Sequence, residues 1–259
     1  MEIFTLLEKF KNGEIDIVEV ERELRLMYLR VDGTARLDIH REKRTGVPEA
    51  ILAEGKRVED LKRIVHHQLE RVGRCIVTRV TPDHGRALEE LIEEEKIPHT
   101  WNEEARTMQL YYREIAKTGG RLGIITAGTS DIPVAEEARV IAEEMGCEVY
   151  TLYDAGVAGI HRLFPDLQKM IEEGVDAIVV AAGREGTLPA IVAGLVDSPV
   201  IGVPVSTGYG EGGSGKAALL SMLQSCSVLS VVNIDSGFTA GAFAAQIANR
   251  VARARKGRA

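Results

Sequence analysis

Residues 122–154, "LGIITAGTSDIPVAEEARVIAEEMGCEVYTLYD", decide the fold. The run "LGIITAG" is apolar, β-branched and without alternation, which is how a strand covered on both faces reads. Thr129, Ser130 and Asp131 follow; they are residue types that cap helices, and Pro133 suits a first helical turn. "VAEEARVIAEEMG" then keeps a helical spacing, and "EVYTLYD" is a second buried strand. The pattern continues through "DAIVVAA" (176–182), "PVIGVPV" (199–205) and "SVLSVVNI" (227–234). Helical stretches "FPDLQKMIEEG", "LPAIVAGLV" and "GKAALLSMLQS" separate these strands, and "FTAGAFAAQIANRVARARK" closes the series. Five βα units predict an α/β fold with an open, doubly wound parallel sheet. Ligands of such sheets bind beyond the carboxyl ends of the strands, at the switch point.

The strand ends carry the candidate chemistry. Thr129, Ser130 and Asp131 serve equally as a helix cap or as a ligand site, with Asp131 suited to sugar hydroxyls or a metal rather than phosphate. After the second strand, His161 and Arg162 join a titratable group to an anion clamp. After the third, Gly183 lets the backbone approach a ligand, while Arg184 and Glu185 interrupt an apolar stretch with charge. The fourth strand leads to a loop at 208–215 in which Gly208, Gly212 and Gly213 provide the freedom to close over a ligand. Gly210, Gly215 and Lys216 match G-x-x-x-x-G-K, but Ala217 stands where a triphosphatase places its magnesium-binding Ser or Thr, so that reading is rejected. Asn233 and Asp235 end the fifth strand. Cys226, just before it, reads either as an inert apolar residue or, with positive charge nearby, as a nucleophile.

The rest of the 259-residue chain bounds these readings. Charged residues crowd the stretch before residue 120 and most glycines follow it, which predicts a charged N-terminal α/β region at 1–118 and a second domain at 119–259. Helices are expected at about 2–11 and 15–30, an extended arm over 35–56, then a helix from 58, a strand "RCIVTRV", a helix over 83–96 and a strand near 107–112. In the arm, Arg44 is the candidate for a substrate carboxylate or adenylate. A net charge of −7 argues against nucleic acid as a partner, and the basic ending "RVARARKGRA" reads as a solvated tail. No apolar run approaches a membrane span and the N-terminus lacks a secretory pattern, and the sparse cysteines suggest a reducing, cytoplasmic setting. Cys75, Cys147 and Cys226 lie far apart, with neither a disulfide framework nor zinc spacing.

"TAGTSDIPVAEEA", "DAGVAGIHR", "VVAAGREGTLPAIVAG", "VIGVPVSTGYGEGG" and "VVNIDSGFTAGAFAA" run in the order of the PurE class of aminoimidazole ribonucleotide carboxylases, whose G-S-x-S-D, A-H-R, A-G-x-x-x-H-L-P and G-V-P segments they resemble over about residues 121–250. Thr187 departs from the class, which has His before Leu-Pro. With "REKRTGVPEAILAEGK" upstream and a cysteine before the last strand, the whole chain resembles the LarB family of pyridinium-3,5-biscarboxylic acid mononucleotide synthases, with a PurE-like, flavodoxin-like second domain.

That resemblance implies carboxylation of the pyridinium ring of nicotinic acid adenine dinucleotide, using carbon dioxide or bicarbonate, and hydrolysis of its phosphoanhydride to release AMP. It also implies a homo-octamer; magnesium is expected for the hydrolysis, since it neutralises charge developing on phosphate, and no organic cofactor is expected. Cys226 is expected at the carboxyl-end rim as the nucleophile, because a thiolate adduct turns the electron-poor ring into an enamine-like nucleophile at C5. Glu185 or His161 would move protons; Arg162 or Arg184 would hold carboxylates or phosphates; Thr129, Ser130 and Asp131 would hold the ribose phosphate. The competing readings are a purine-pathway carboxylase or mutase and a non-catalytic nucleotide-binding module.

Overall fold

The structure is a computed structural model that describes residues 3–25, 29–31, 35–208 and 210–257. It forms two compact units, one of residues 1–101 with 108–114, the other of 102–107 with 115–259.

The first unit starts with helices α1 (Ile3–Lys11) and α2 (Ile17–Arg25), followed by β1 (Leu29–Val31) and β2 (Ala35–Leu37), an antiparallel pair. The helix expected over 15–30 therefore ends early, and its segment 26–28 lies outside the described residues. The expected extended arm is likewise broken. After β2 comes a one-turn helix, α3 (Arg41–Thr45), closed by Gly46 in the left-handed conformation (φ 76°), and only then β3 (Ala50–Leu52). Arg41 bonds to Glu49 at 3.0 Å across that turn, so local charge pairing curls a stretch that reads as extended.

The remaining elements are α4 (Val58–Val72), β4 (Arg74–Thr78), α5 (Pro82–Glu95), β5 (His99–Asn102) and β6 (Thr107–Tyr111). They make a four-stranded sheet in the order β3-β4-β6-β5, parallel between β3 and β4 and antiparallel between β4 and β6. β5 was not expected, since its residues "HTWN" are exposed or half-exposed and carry no apolar run. Leu61, Val65 and Leu69 of α4 are buried against Val77 of β4 and Leu88 and Leu91 of α5. Each large side chain so buried contributes roughly 1.5–3 kcal/mol. Buried His84 fastens the start of α5: its Nδ1 meets the Thr81 hydroxyl at 2.8 Å and its Nε2 the Lys56 carbonyl at 2.9 Å.

The second unit carries β7 (Arg121–Thr126), α6 (Ile132–Glu144), β8 (Glu148–Leu152), α7 (Leu163–Glu172), β9 (Ala177–Ala182), α8 (Leu188–Ala193), β10 (Val200–Pro204), α9 (Lys216–Leu223), β11 (Ser230–Val231) and α10 (Gly237–Lys256). The strands are parallel in the order β11-β10-β9-β7-β8, the flavodoxin-like arrangement. α6 and α10 cover one face; α7, α8 and α9 cover the other. All residues of β9 and β10 are buried, which is why neither alternates. β11 is far shorter than the eight-residue run expected, and pairs only through Ser230 and Val231.

Two features lock the last helix. α10 presents Gly237 and Gly241 to α6, where an added Cβ would lie 1.9 Å from the Val134 carbonyl oxygen and 2.4 Å from that of Ala138, so larger residues would hold the helices apart. Arg255, in the last turn, forms an ion pair with buried Asp176, whose other oxygen accepts the Arg121 N–H at 2.9 Å. The tail expected to be merely solvated is thus an anchored helix end; residues 258–259 lie outside the described residues.

Candidate active site

β7 and β9 are neighbours in the sheet, yet the chain leaves them toward opposite faces, into α6 and α8. The crevice between the two departing loops is the switch point, and a cleft of about 390 Å³ opens there, within the usual range for small-molecule sites. Its walls are the loops that follow β7, β8, β9 and β10.

The first loop is a single tight turn, Thr129–Asp131, preceded by Gly128. Asp131 lies at its end and is only 3% exposed. Its carboxylate accepts the Gly128 N–H at 2.8 Å, the Thr207 hydroxyl at 3.3 Å and the Gly183 N–H. Burial raises its pKa above the ordinary value against the pull of these three donors. Ser130 shares the cleft wall; Thr129 is exposed and stands outside it.

The second loop supplies an ion pair. Arg162 ends a turn over Val157–Arg162 and donates to Asp154, and both line the cleft. Asp154 has a left-handed backbone (φ 58°), held by its N–H on the buried Thr126 hydroxyl at 3.0 Å. The third loop places Arg184 in a similar conformation (φ 42°), beside Gly183 and Glu185. A non-glycine residue in this region costs about 1–3 kcal/mol, and Asp154 and Arg184 both carry that cost in the cleft wall. Thr187 and Leu188 complete that wall.

Of the residues expected from sequence, Ser130, Asp131, Arg162, Gly183, Arg184 and Glu185 come together in the cleft. Gly208 lies against the Arg184 backbone, its position leaving 3.4 Å from a Cβ to the Arg184 nitrogen. Gly212 and Gly213 belong to the loop beyond, in which Tyr209 is outside the described residues. Asp235 takes a supporting place, accepting the Ser206 N–H at 2.9 Å, while exposed Asn233 caps its own neighbour's N–H. His161 is exposed and outside the cleft wall. Arg44 lies in the first unit, where it pairs with Asp38 and holds that carboxyl below its ordinary pKa.

Cys226 requires a correction. β11 runs parallel to β10, so a residue four places before it lies toward the amino end of the sheet, not at the carboxyl-end rim. The side chain is exposed and takes no part in lining the cleft. Cys75 and Cys147 are buried, and burial pushes the Cys147 thiol up to about 11.

Sequence reasoning missed Asp154 and Thr207. Asp154 ends "EVYTLYD" and could have been flagged as a charge at a strand's carboxyl end; Thr207 carried no local signal.

With this geometry in place, the family can be assigned. Residues 121–256 match the family model described as AIR carboxylase, and residues 29–113 match the LarB/PurE-like N-terminal domain. "Uncharacterized protein MJ0165" of Methanocaldococcus jannaschii is 44% identical over 255 residues, covering 94% of this chain and 95% of that protein. The N5-carboxyaminoimidazole ribonucleotide mutase of Thermotoga maritima is 34% identical over 131 residues, covering 49% of this chain and 74% of the mutase. A crystal structure of Treponema denticola PurE2-S38D covers 53% of this chain and 93% of its own at 19% identity and a TM-score of 0.39, a likeness too slight to argue from. The second domain is that of a PurE-related carboxylase/mutase. The chain as a whole belongs to the LarB family, carrying the LarB-type N-terminal domain ahead of the PurE-like one. Among the described residues, no helix is long and apolar enough to cross a membrane.

Proposed function

We propose that the protein carboxylates the pyridinium ring of nicotinic acid adenine dinucleotide at C5 and hydrolyses its phosphoanhydride, giving pyridinium-3,5-biscarboxylic acid mononucleotide and AMP. The observation that carries this reading is the joining of a LarB-type N-terminal domain to a PurE-like cleft in which Thr187 replaces the imidazole of the purine enzymes' motif.

The chemistry balances without an oxidant. A cysteine thiolate adds to C4 or C6, the resulting dihydropyridine attacks carbon dioxide through C5, a base takes the C5 proton, and the thiolate leaves as aromaticity returns. Of the carboxylates in the cleft wall, Asp131 is tied to protein donors and Asp154 to Arg162, so Glu185 would take that proton. Arg162 would face a substrate carboxylate or phosphate, and Asp131 a ribose hydroxyl. Cys226 stands outside the cleft of its own chain, so the reading requires assembly, expected as a homo-octamer, to bring a thiol to each cleft. Magnesium would neutralise charge on the phosphates during hydrolysis. Among the described residues no group of three or more His, Cys, Asp or Glu could hold a metal, so the ion would arrive on the substrate's diphosphate rather than in a protein cage.

The purine reading is favoured by the match to the AIR carboxylase family and to the mutases. Incubation of wild type and Cys226→Ala with nicotinic acid adenine dinucleotide, bicarbonate and magnesium, read by mass spectrometry, separates the two. A dicarboxylated mononucleotide plus AMP from wild type alone supports the proposal. Product from both proteins removes the covalent step. No product from either, with turnover of aminoimidazole ribonucleotide, hands the site to purine chemistry.

A further inference from the structure

Three loops far apart in sequence meet at one carboxylate. Gly128 approaches Asp131 from the β7 side, Gly183 from the end of β9, and Thr207 from the segment after β10. Thr207 stands at the base of the glycine-rich loop. Its predecessor, Ser206, is tied the other way, through its N–H to the Asp235 carboxylate ahead of α10. Two consecutive residues are therefore pinned to two different aspartates, one in the cleft and one beside it. The join is tight: a Cβ at position 183 would lie 2.9 Å from the Thr207 hydroxyl and 3.2 Å from Asp131 Oδ1.

A carboxylate offers about four acceptor positions. Three protein donors reach Asp131, which leaves about one for a ligand. We propose that Thr207 is a positioning residue of this cleft: its hydroxyl fixes the Asp131 carboxylate and the root of the 208–215 loop, so that the remaining acceptor position faces a ligand hydroxyl such as that of a ribose. The ligand half of the inference rests on the nucleotide reading above; the link between Thr207 and Asp131 does not. Burial already raises the Asp131 pKa, and Thr207 is one of the donors that hold it down. Removing that donor moves the carboxyl further up, so the acceptor becomes protonated over a wider range of pH.

The test compares wild type, Thr207→Val and Thr207→Ser in the full chain. The Asp131 carboxyl is followed by carbon-13 NMR titration, and binding of nicotinic acid mononucleotide by calorimetry from about pH 5 to 8. Thr207→Val should shift the Asp131 titration to higher pH, carry the acid limb of binding with it, and weaken binding at neutral pH about tenfold, the scale of one hydrogen bond to a charged group. Thr207→Ser should restore both. An unmoved titration in Thr207→Val, or a serine variant as impaired as the valine one, overturns the proposal. If wild type binds no mononucleotide while the titration still shifts in Thr207→Val and not in Thr207→Ser, the positioning role stands and the nucleotide reading fails.

Discussion

Asp154 and Arg162 form an ion pair in the wall of the cleft, with Asp154 in a left-handed conformation that its N–H bond to Thr126 maintains. The pair is part-exposed on both sides, so its value is not stability; surface pairs contribute roughly 0–1 kcal/mol. On the function proposed above, the pair would hold the guanidinium in place before an anionic substrate group arrives. Arg162→Ala is expected to weaken nicotinic acid mononucleotide at least tenfold while changing the melting temperature little. Arg162→Lys should recover only part of the loss, because the planar two-pronged donor is gone. Calorimetric titration checks both, and unchanged affinity in Arg162→Ala would remove this residue from the site.

The elevated Asp131 pKa makes a second expectation. The folded chain keeps this proton at pH values where the unfolded chain has released it. The stability it contributes is fully present below the ordinary carboxyl pKa and is lost as pH rises through the folded value. Asp131→Asn has no such ionisation. Raising the pH from about 4 to 7 should therefore move the difference in melting temperature in the variant's favour. A difference that moves toward wild type would mean that the three hydrogen bonds outweigh burial.

The three cysteines should differ sharply toward alkylation. Cys226 is exposed, whereas Cys75 is buried and the Cys147 thiol is pushed up to about 11. Iodoacetamide at about pH 8 should label Cys226 at least tenfold faster than either, as peptide mapping would show. Labelling led by Cys147 would contradict the packing of its thiol against Asn249. Protection of all three in the native protein would mean that a second subunit covers Cys226.

The anchoring of α10 should be measurable as stability. Asp176→Ala removes the acceptor of both Arg255 and the Arg121 N–H. Arg255 is half-exposed and can be rehydrated, so the loss is expected at about 2 kcal/mol rather than the 3–5 of a fully buried pair. That corresponds to a fall in melting temperature of roughly 4–8 °C. Arg255→Ala should cost at least as much, since it leaves the buried Asp176 carboxylate with its backbone donor but no countercharge. Thermal melts give the order, and a smaller loss in Arg255→Ala would mean that the backbone bond, not the ion pair, supplies the stability.

The sequence by itself determined the sheet and where to search on it. Five apolar runs without alternation, each followed by a helical period, leave few topologies for residues 121–256, and the rule for parallel sheets directs attention to their carboxyl ends. Ser130, Asp131, Gly183, Arg184 and Glu185 come together in the cleft because each lies within a few residues of a strand end and inherits its position from the strand, whereas Arg162, well beyond the end of β8, is brought there by the turn over Val157–Arg162. The N-terminal elements were less legible where short-range charge pairing decides the backbone. The turn at Arg41–Thr45 and the exposed strand His99–Asn102 have no hydrophobic period to announce them.

Only the tertiary structure decided which of these residues share a site. Thr207 reaches Asp131 across 76 positions of chain, and Arg255 reaches Asp176 across 79. Such pairings are set by strand order and helix packing, which no local pattern encodes. Cys226 shows the same limit from the other side. Its place before β11 is plain in the sequence, but the direction of that two-residue strand in the sheet, and hence the edge on which the thiol lies, follows from its pairing with β10.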